Sequence, residues 1–177
     1  NWLCYYPMEQ FLSRFTDQQI CINHEDYQRA KKHFHAKYVD YLPGVGMDFS
    51  RIPHLSEEEI CQKKKELGIP SEKLLLLSSG ELIPRKNHET MLRALAQLKD
   101  MTQIHYLLCG HGKLEKELHQ LAKELGISHM VTFAGYREDM LEILQTADIF
   151  LFPSYQEGLP MALLEAMASG LPVICSD

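Results

Sequence analysis

Glu157 and Glu165 stand eight positions apart in a run read as Gln156-Glu157-Gly158-Leu159-Pro160-Met161-Ala162-Leu163-Leu164-Glu165-Ala166-Met167-Ala168-Ser169-Gly170. The turn between the two acids is built to open a helix. Pro160 suits the first helical turn, where its missing N–H costs nothing. From Met161 onward, Leu164, Met167 and Ala168 share one face at the helical period, and Gly170 with Pro172 stops the helix. Unbonded amides at such a start, with the positive end of the helix dipole, form an anion site. Glu157 sits just outside that site and Glu165 about one turn inside it. One acid can therefore touch what lies beyond a bound phosphate, and the other what lies before it. The commoner fate of such residues is plainer, an N-terminal helix acid at 157 and a solvated helix face at 165.

A second loop supplies the opposite charge. In Ser78-Ser79-Gly80-Glu81-Leu82-Ile83-Pro84-Arg85-Lys86-Asn87-His88 two adjacent cations stand where the chain turns between a strand and its helix. Arg85 can grip phosphate oxygens through a planar fork, and Lys86 offers a compact charge. Taken alone, the pair reads as a solvated basic step before a helix. Ligands of open α/β sheets collect beyond the carboxyl ends of the strands, so this loop and the one holding Glu157 are expected to share a crevice. Together they suggest a clamp for a nucleotide-activated sugar.

A third loop, Cys109-Gly110-His111-Gly112-Lys113-Leu114, invites a dinucleotide reading, but G-x-G-x-x-G fails because residue 115 is Glu. Its glycines also simply permit a tight strand-to-helix turn. His33-x-His35 falls in a helical region where a spacing of two points the rings apart. No Asp-x-Asp and no Gly-x-Ser-x-Gly elbow occurs, so the sequence predicts neither a metal site nor a hydrolase.

The elements that must position these loops alternate in type. Apolar runs at Leu74–Leu77, Ile104–Cys109, Met130–Phe133, Ile149–Phe152 and Pro172–Cys175 read as strands. Between them, stripes at Met91, Leu95 and Leu98, at Leu114, Leu118, Leu121, Ala122 and Leu125, and at Met140, Leu141 and Leu144 read as helices. Asn87 is the expected N-cap of the first of these helices and Gly126 the expected stop of the second. The pattern predicts an α/β fold with a doubly wound parallel sheet. The turn-rich run Tyr41 to Asp48 reads as a hinge, giving residues 1–40 as the last piece of one domain and 41–177 as a second domain. Ending on an apolar strand, the second domain reads as truncated. With 45% hydrophobic and 24% charged residues the 177-residue chain can bury a full core, and a net charge of -6 argues against nucleic acid as partner. No apolar run spans a bilayer and no signal segment opens the chain, which predicts a soluble protein. Five scattered cysteines read as free thiols, with Cys21, Cys109 and Cys175 buried in strands.

The run from Glu157-Gly158-Leu159-Pro160 through Glu165 to Val173 resembles the E-x7-E motif of retaining glycosyltransferases of family 4, also called group 1, built on two facing Rossmann-like domains in the GT-B architecture. Gly80-x-Leu82 followed by Arg85-Lys86-Asn87 resembles the family's diphosphate loop, with one departure, since Glu81 stands where many members have arginine. The Gly110–Gly112 turn resembles the one beside the nucleotide, and Phe133-x-Gly135-Tyr136 the one whose backbone lies against the base. Tyr136 is equally readable as a packing aromatic. The Pro43 to Asp48 run resembles the approach to the family's C-terminal domain.

The resemblance implies a Rossmann-like C-terminal half of a GT-B enzyme. That half would move a hexose-type sugar from a nucleoside diphosphate sugar, a UDP-sugar in first place, to an acceptor hydroxyl with retention. Catalytic contacts would fall to Arg85, Lys86 and Glu157, the last on sugar hydroxyls. Gly80, Gly112, Tyr136, Gly158, Leu159 and Pro160 would bind the nucleotide, with Glu165 on the ribose hydroxyls. No cofactor is implied, because the nucleotide sugar is the substrate. The family also implies a glycan or glycolipid acceptor held by an N-terminal domain, bacterial polysaccharide or glycolipid synthesis, and a cytoplasmic place at the inner face of a membrane. A piece of this kind would be inactive alone. Two other readings stand beside it, a sugar-nucleotide epimerase of the same fold and a nucleotide-binding or interaction module without catalysis.

Overall fold

The computed structural model describes residues 2–44 and 46–176; Asn1, Val45 within the predicted hinge, and the terminal Asp177 lie outside the described residues. The chain divides into two compact units, Asn1–Met47 and Asp48–Asp177.

The smaller unit holds α1 (Trp2–Leu12), β1 (Gln18–Cys21), α2 (His24–His33) and β2 (Tyr38–Tyr41). β1 and β2 pair in parallel, Gln18 opposite Tyr38. Asn23 starts α2 by accepting the Asp26 N–H at 2.8 Å, a cap that satisfies one of the free donors of the first turn. Among the described residues of this unit only Ser13, Cys21 and Ala30 are buried, as expected of so short a span.

The larger unit begins with α3 (Glu57–Glu66). Ser56 and Glu59 form a reciprocal capping box at its start. Strands and helices then alternate: β3 (Leu74–Ser79), α4 (His88–Ala96), β4 (Ile104–Cys109), α5 (Glu115–Glu124), β5 (Val131–Gly135), α6 (Met140–Leu144), β6 (Ile149–Phe152), α7 (Met161–Ala168) and β7 (Val173–Cys175). Among the described residues the strands form a five-stranded sheet in the order β5-β4-β3-β6-β7, parallel at every junction.

The period of two along each strand sorts side chains onto two faces. Leu76, Tyr106, Leu108 and Leu151 pack with Leu92 and Leu95 of α4 and Leu118 and Ala122 of α5. Leu75, Leu77, Leu107, Phe150 and Phe152 pack on the other side with Ile143 and Leu144 of α6 and Ala166 of α7. Helices thus cover both faces, which is the doubly wound, Rossmann-like arrangement. Strand order reverses between β3 and β6, and the loops leaving those two strands carry Arg85-Lys86 and Glu157. A crevice at such a reversal is where this fold places ligands.

Three local expectations change. Asn87 does stand at the start of α4, but in the left-handed region at φ 53°; its side chain accepts from the Thr90 hydroxyl at 2.8 Å and caps no amide. Pro160 precedes α7 as its N-cap and does not lie inside the first turn. Cys175 is exposed while Cys21 and Cys109 are buried; among the described residues β7 is an edge strand paired with β6 alone. Gly126 ends α5 as expected, at φ 72°, with the Ile127 N–H closing back onto the Ala122 carbonyl at 3.0 Å.

Candidate functional site

Three loops at the carboxyl ends of β3, β4 and β5 are laced by their own backbones. The Gly80 N–H donates to the Cys109 carbonyl at 3.0 Å and the Gly110 N–H to the Gly135 carbonyl at 2.7 Å. A side chain at Gly110 would place its Cβ 1.9 Å from the Gly80 carbonyl oxygen, and one at Gly112 would lie 2.6 Å from that of Leu82. The Leu82 N–H in turn donates to the His111 carbonyl, and the Leu114 N–H to that of Leu82, each at 3.0 Å. These glycines let one loop lie on the next, so packing is a sufficient reason for the G-x-G turn. The lacing fixes where the following 3₁₀ turn, Pro84–Lys86, presents its cations.

Those cations meet Glu157 directly. Arg85 Nη1 donates to Glu157 Oε2 at 2.9 Å and to the Gln156 carbonyl at 2.6 Å, while Lys86 Nζ donates to Glu157 Oε1 at 2.7 Å. The Tyr155 N–H completes the junction on the Arg85 carbonyl at 3.0 Å. Lys86 runs its stem past Gly80, whose missing Cβ would lie 3.5 Å from Lys86 Cε, and holds its ammonium 5.5 Å from the centre of the Phe152 ring, a cation–π approach. Burial alone would raise the Glu157 carboxyl, but hydrogen bonds from Lys86, Ser154 and Arg85 outweigh it and hold the pKa below the ordinary carboxylate value. With one anion set against two cations, the cluster keeps a single positive charge.

Beneath the cluster lies His88, 4% exposed at the start of α4. Neither ring nitrogen has a hydrogen-bond partner of good geometry among the described residues. Burial first, and then the Lys86 charge, push its pKa down to about 4, opposed only weakly by the nearby Glu81 backbone. The imidazole is therefore neutral at pH 7. A second cation under Lys86 is avoided.

The turn Gly158-Leu159-Pro160 leads into α7. Its donors are partly used, since the Met161 N–H bonds to the Leu159 carbonyl and those of Leu163 and Leu164 to the Pro160 carbonyl. The amides of Gly158, Leu159 and Ala162 have no backbone acceptor among the described residues. Glu165 is half-buried on α7, and no ion pair or side-chain hydrogen bond joins it to another of the described residues. Burial raises its carboxyl above the ordinary value, partly opposed by the charge of Arg51. So Arg85, Lys86 and Glu157 touch, with Gly80 packed against Lys86, while Glu165 stands outside that cluster.

Beside this cluster a cavity of about 350 Å³ is lined by Ser79, Gly80, Glu81, Cys109, Gly110, His111, Tyr136, Arg137 and Met140. Tyr136, 68% exposed, sets its ring edge-on to His111 at 5.8 Å. Arg137 is turned onto Asp139 through Nε at 2.8 Å and Nη2 at 2.6 Å. Lys63 of α3 holds the same carboxylate at 3.0 Å and Glu142 at 2.6 Å. Asp139 consequently lies well below the carboxylate range, chiefly through Arg137. Neither this network nor His88 was singled out from the sequence. Arg137-x-Asp139 just before a helix was the available signal, but its partner Lys63 lies 76 positions away.

Among the described residues no group of three or more His, Cys, Asp or Glu is placed to hold a metal ion, and no helix is long and apolar enough to cross a membrane.

Comparison with known proteins gives matches of three kinds, to a family model, to named relatives and to solved structures. The family model described as glycosyl transferases group 1 matches residues 59–177. A putative glycosyltransferase, EpsD, of Bacillus subtilis (strain 168) is 35% identical across 100% of this chain and 47% of its own length. The Escherichia coli protein named UDP-Gal:alpha-D-GlcNAc-diphosphoundecaprenol alpha-1,3-galactosyltransferase is 28% identical across 99% of this chain and 46% of its own. Among solved structures, Anabaena Alr3699/HepE in complex with UDP and glucose superposes with a TM-score of 0.83 at 22% identity, over 99% of this chain and 48% of that one. The chain spans about half the length of the curated relatives it matches.

Proposed function

The chain belongs to the group 1 glycosyltransferases, and from that premise we propose that it carries the donor site of a retaining hexosyltransferase that uses a UDP-sugar. The observation that carries this reading is the meeting of Arg85, Lys86 and Glu157 at the strand-order reversal between β3 and β6. The name of the Escherichia coli relative, a UDP-galactose-dependent transferase, favours uridine as the nucleoside.

Arg85 and Lys86 take the diphosphate, with the Gly158, Leu159 and Ala162 amides as further donors. Glu157 turns to hydroxyls of the transferred sugar, and Glu165 accepts hydrogen bonds from the ribose. The bond from the anomeric carbon to the β-phosphate oxygen breaks, and its electron pair leaves with UDP. A new bond forms to the acceptor oxygen on the same face of the sugar, and the acceptor proton passes to the departing phosphate. Charge develops on the leaving group, so fixed donors aimed there are the groups that lower the barrier. This assigns the charge-balancing role to side chains and amides, and neither carboxylate is a nucleophile. The acceptor, a glycan or glycolipid hydroxyl in polysaccharide or glycolipid synthesis at the cytoplasmic face of a membrane, belongs to the part of the relatives' length that this chain does not span.

The test is the affinity of UDP for the full chain carrying Glu165→Ala. Loss of charged hydrogen bonds to ribose is expected to weaken binding about 10- to 150-fold. Calorimetry that gives the wild-type affinity rejects the assignment.

A further inference from the structure

Glu81 is the residue at which this chain departs from the arginine expected at its position, and the structure gives it a distinctive setting. It lines the cavity beside the cation cluster together with His111, Tyr136 and Arg137. Arg85 and Lys86, four and five positions along the same loop, are joined to Glu157 and make no ion pair with Glu81. The other charged residue of the lining, Arg137, is joined to Asp139. Among the described residues the Glu81 carboxylate accepts no hydrogen bond and joins no ion pair. It is thus the unpaired charge of a cavity of about 350 Å³, a volume in the range of small-ligand sites.

We propose that Glu81 is a specificity-determining residue that reads the nucleobase of the donor, accepting a hydrogen bond from a ring N–H. The inference rests on the donor-site reading above. An ionised carboxylate only accepts hydrogen bonds. It therefore favours bases that present a ring N–H next to a carbonyl, as uracil does at N3 and guanine at N1. Placed at that ring nitrogen it disfavours cytosine and adenine, which present a lone pair there and meet a carboxylate only through their exocyclic amines. The same substitution that deprives the diphosphate of a cation gives the nucleoside a reader. Backbone geometry is compatible with this role, since the Ile83 N–H closes the turn on the Glu81 carbonyl at 2.9 Å and leaves the side chain out of the fold's hydrogen bonding.

Calorimetric titration of the full chain with UDP, GDP, CDP and ADP tests the proposal, using wild type, Glu81→Gln and Glu81→Arg. Wild type is expected to prefer UDP and GDP over CDP and ADP. Glu81→Gln, whose amide both donates and accepts, is expected to weaken UDP about tenfold and to narrow the gap between UDP and CDP. Equal losses for UDP and CDP in Glu81→Gln would place the carboxylate on the ribose and overturn base reading. A gain in UDP and in free pyrophosphate affinity in Glu81→Arg would place the residue on the phosphates and overturn it equally. If Glu165→Ala weakens UDP but Glu81→Gln does not, this inference fails alone. Binding of none of the four nucleotides by wild type overturns the donor-site reading along with it.

Discussion

His88 shows how strongly one side chain is conditioned by its neighbour. Its folded pKa of about 4 lies below the unfolded value near 6.5, so on acidification the unfolded chain takes up the proton first. Its contribution is complete above about pH 6.5 and is lost as pH falls toward 4. Between pH 7 and pH 5 this linkage amounts to about 2 kcal/mol. Urea unfolding at the two pH values checks it by difference: His88→Phe should flatten the pH dependence by that amount, leaving the slope due to other groups, among them the buried His105, whose pKa burial also lowers. Equal slopes in variant and wild type would reject the assignment. At this scale the sequence was only partly informative. Arg85, Lys86 and Glu157 could be named because charge at a strand end is conspicuous in a string of letters. Their mutual contact was not legible, because two loops 71 and 72 positions apart meet through turn geometry that residue types alone do not encode. The burial of His88 was hidden too, since an imidazole at a helix start reads the same whether it faces solvent or core.

Elements were far more legible, because period and length carry them. The β4 run was bounded correctly at Ile104–Cys109 and β6 at Ile149–Phe152; β6 is continuously apolar and β4 is interrupted only by the buried His105. The start of α7 was misplaced by one residue, since proline's fixed φ is as compatible with a cap as with a first turn. α3 went unread although Ser56-x-x-Glu59 is a capping-box signature, its helix being polar and too lightly buried to show a stripe. The lacing of the β3 and β4 loops makes a prediction at this scale. Gly110 and Gly126 both have positive φ, at 135° and 72°, but a Cβ meets backbone at the first and nothing within 4 Å at the second. Gly126→Ala should therefore cost about 1 kcal/mol, the strain alone, and Gly110→Ala about 2 to 4 kcal/mol. Chemical denaturation of both variants decides the matter, and equal losses would mean that the loops can separate without penalty.

At the scale of the molecule, the proposed ligand contacts all fall in the larger unit, Asp48–Asp177. UDP at about one hundred times its dissociation constant should stabilise that unit by about 2.7 kcal/mol. Hydrogen exchange with and without UDP should show added protection in residues 48–176, concentrated in the loops after β3 and β6, and protection confined to residues 2–44 would contradict the site. The parallel topology was legible because alternating strand and helix patterns allow few alternatives, and with it the crevice between β3 and β6. The hold of Glu157 on both cations also bears on the molecule's dealings with its surroundings. In a chain of net charge -6, the internal counter-ion leaves the two site cations a net charge of only one with which to draw an anion. On the proposed reading, orthophosphate, pyrophosphate or a bare nucleotide must evict Glu157 and leave it stranded, whereas a complete donor brings sugar hydroxyls that rehouse the carboxylate as the phosphates take its place. The clamp then works as an exchange that a complete donor makes at least cost, while UDP alone binds more weakly because it leaves Glu157 without a partner.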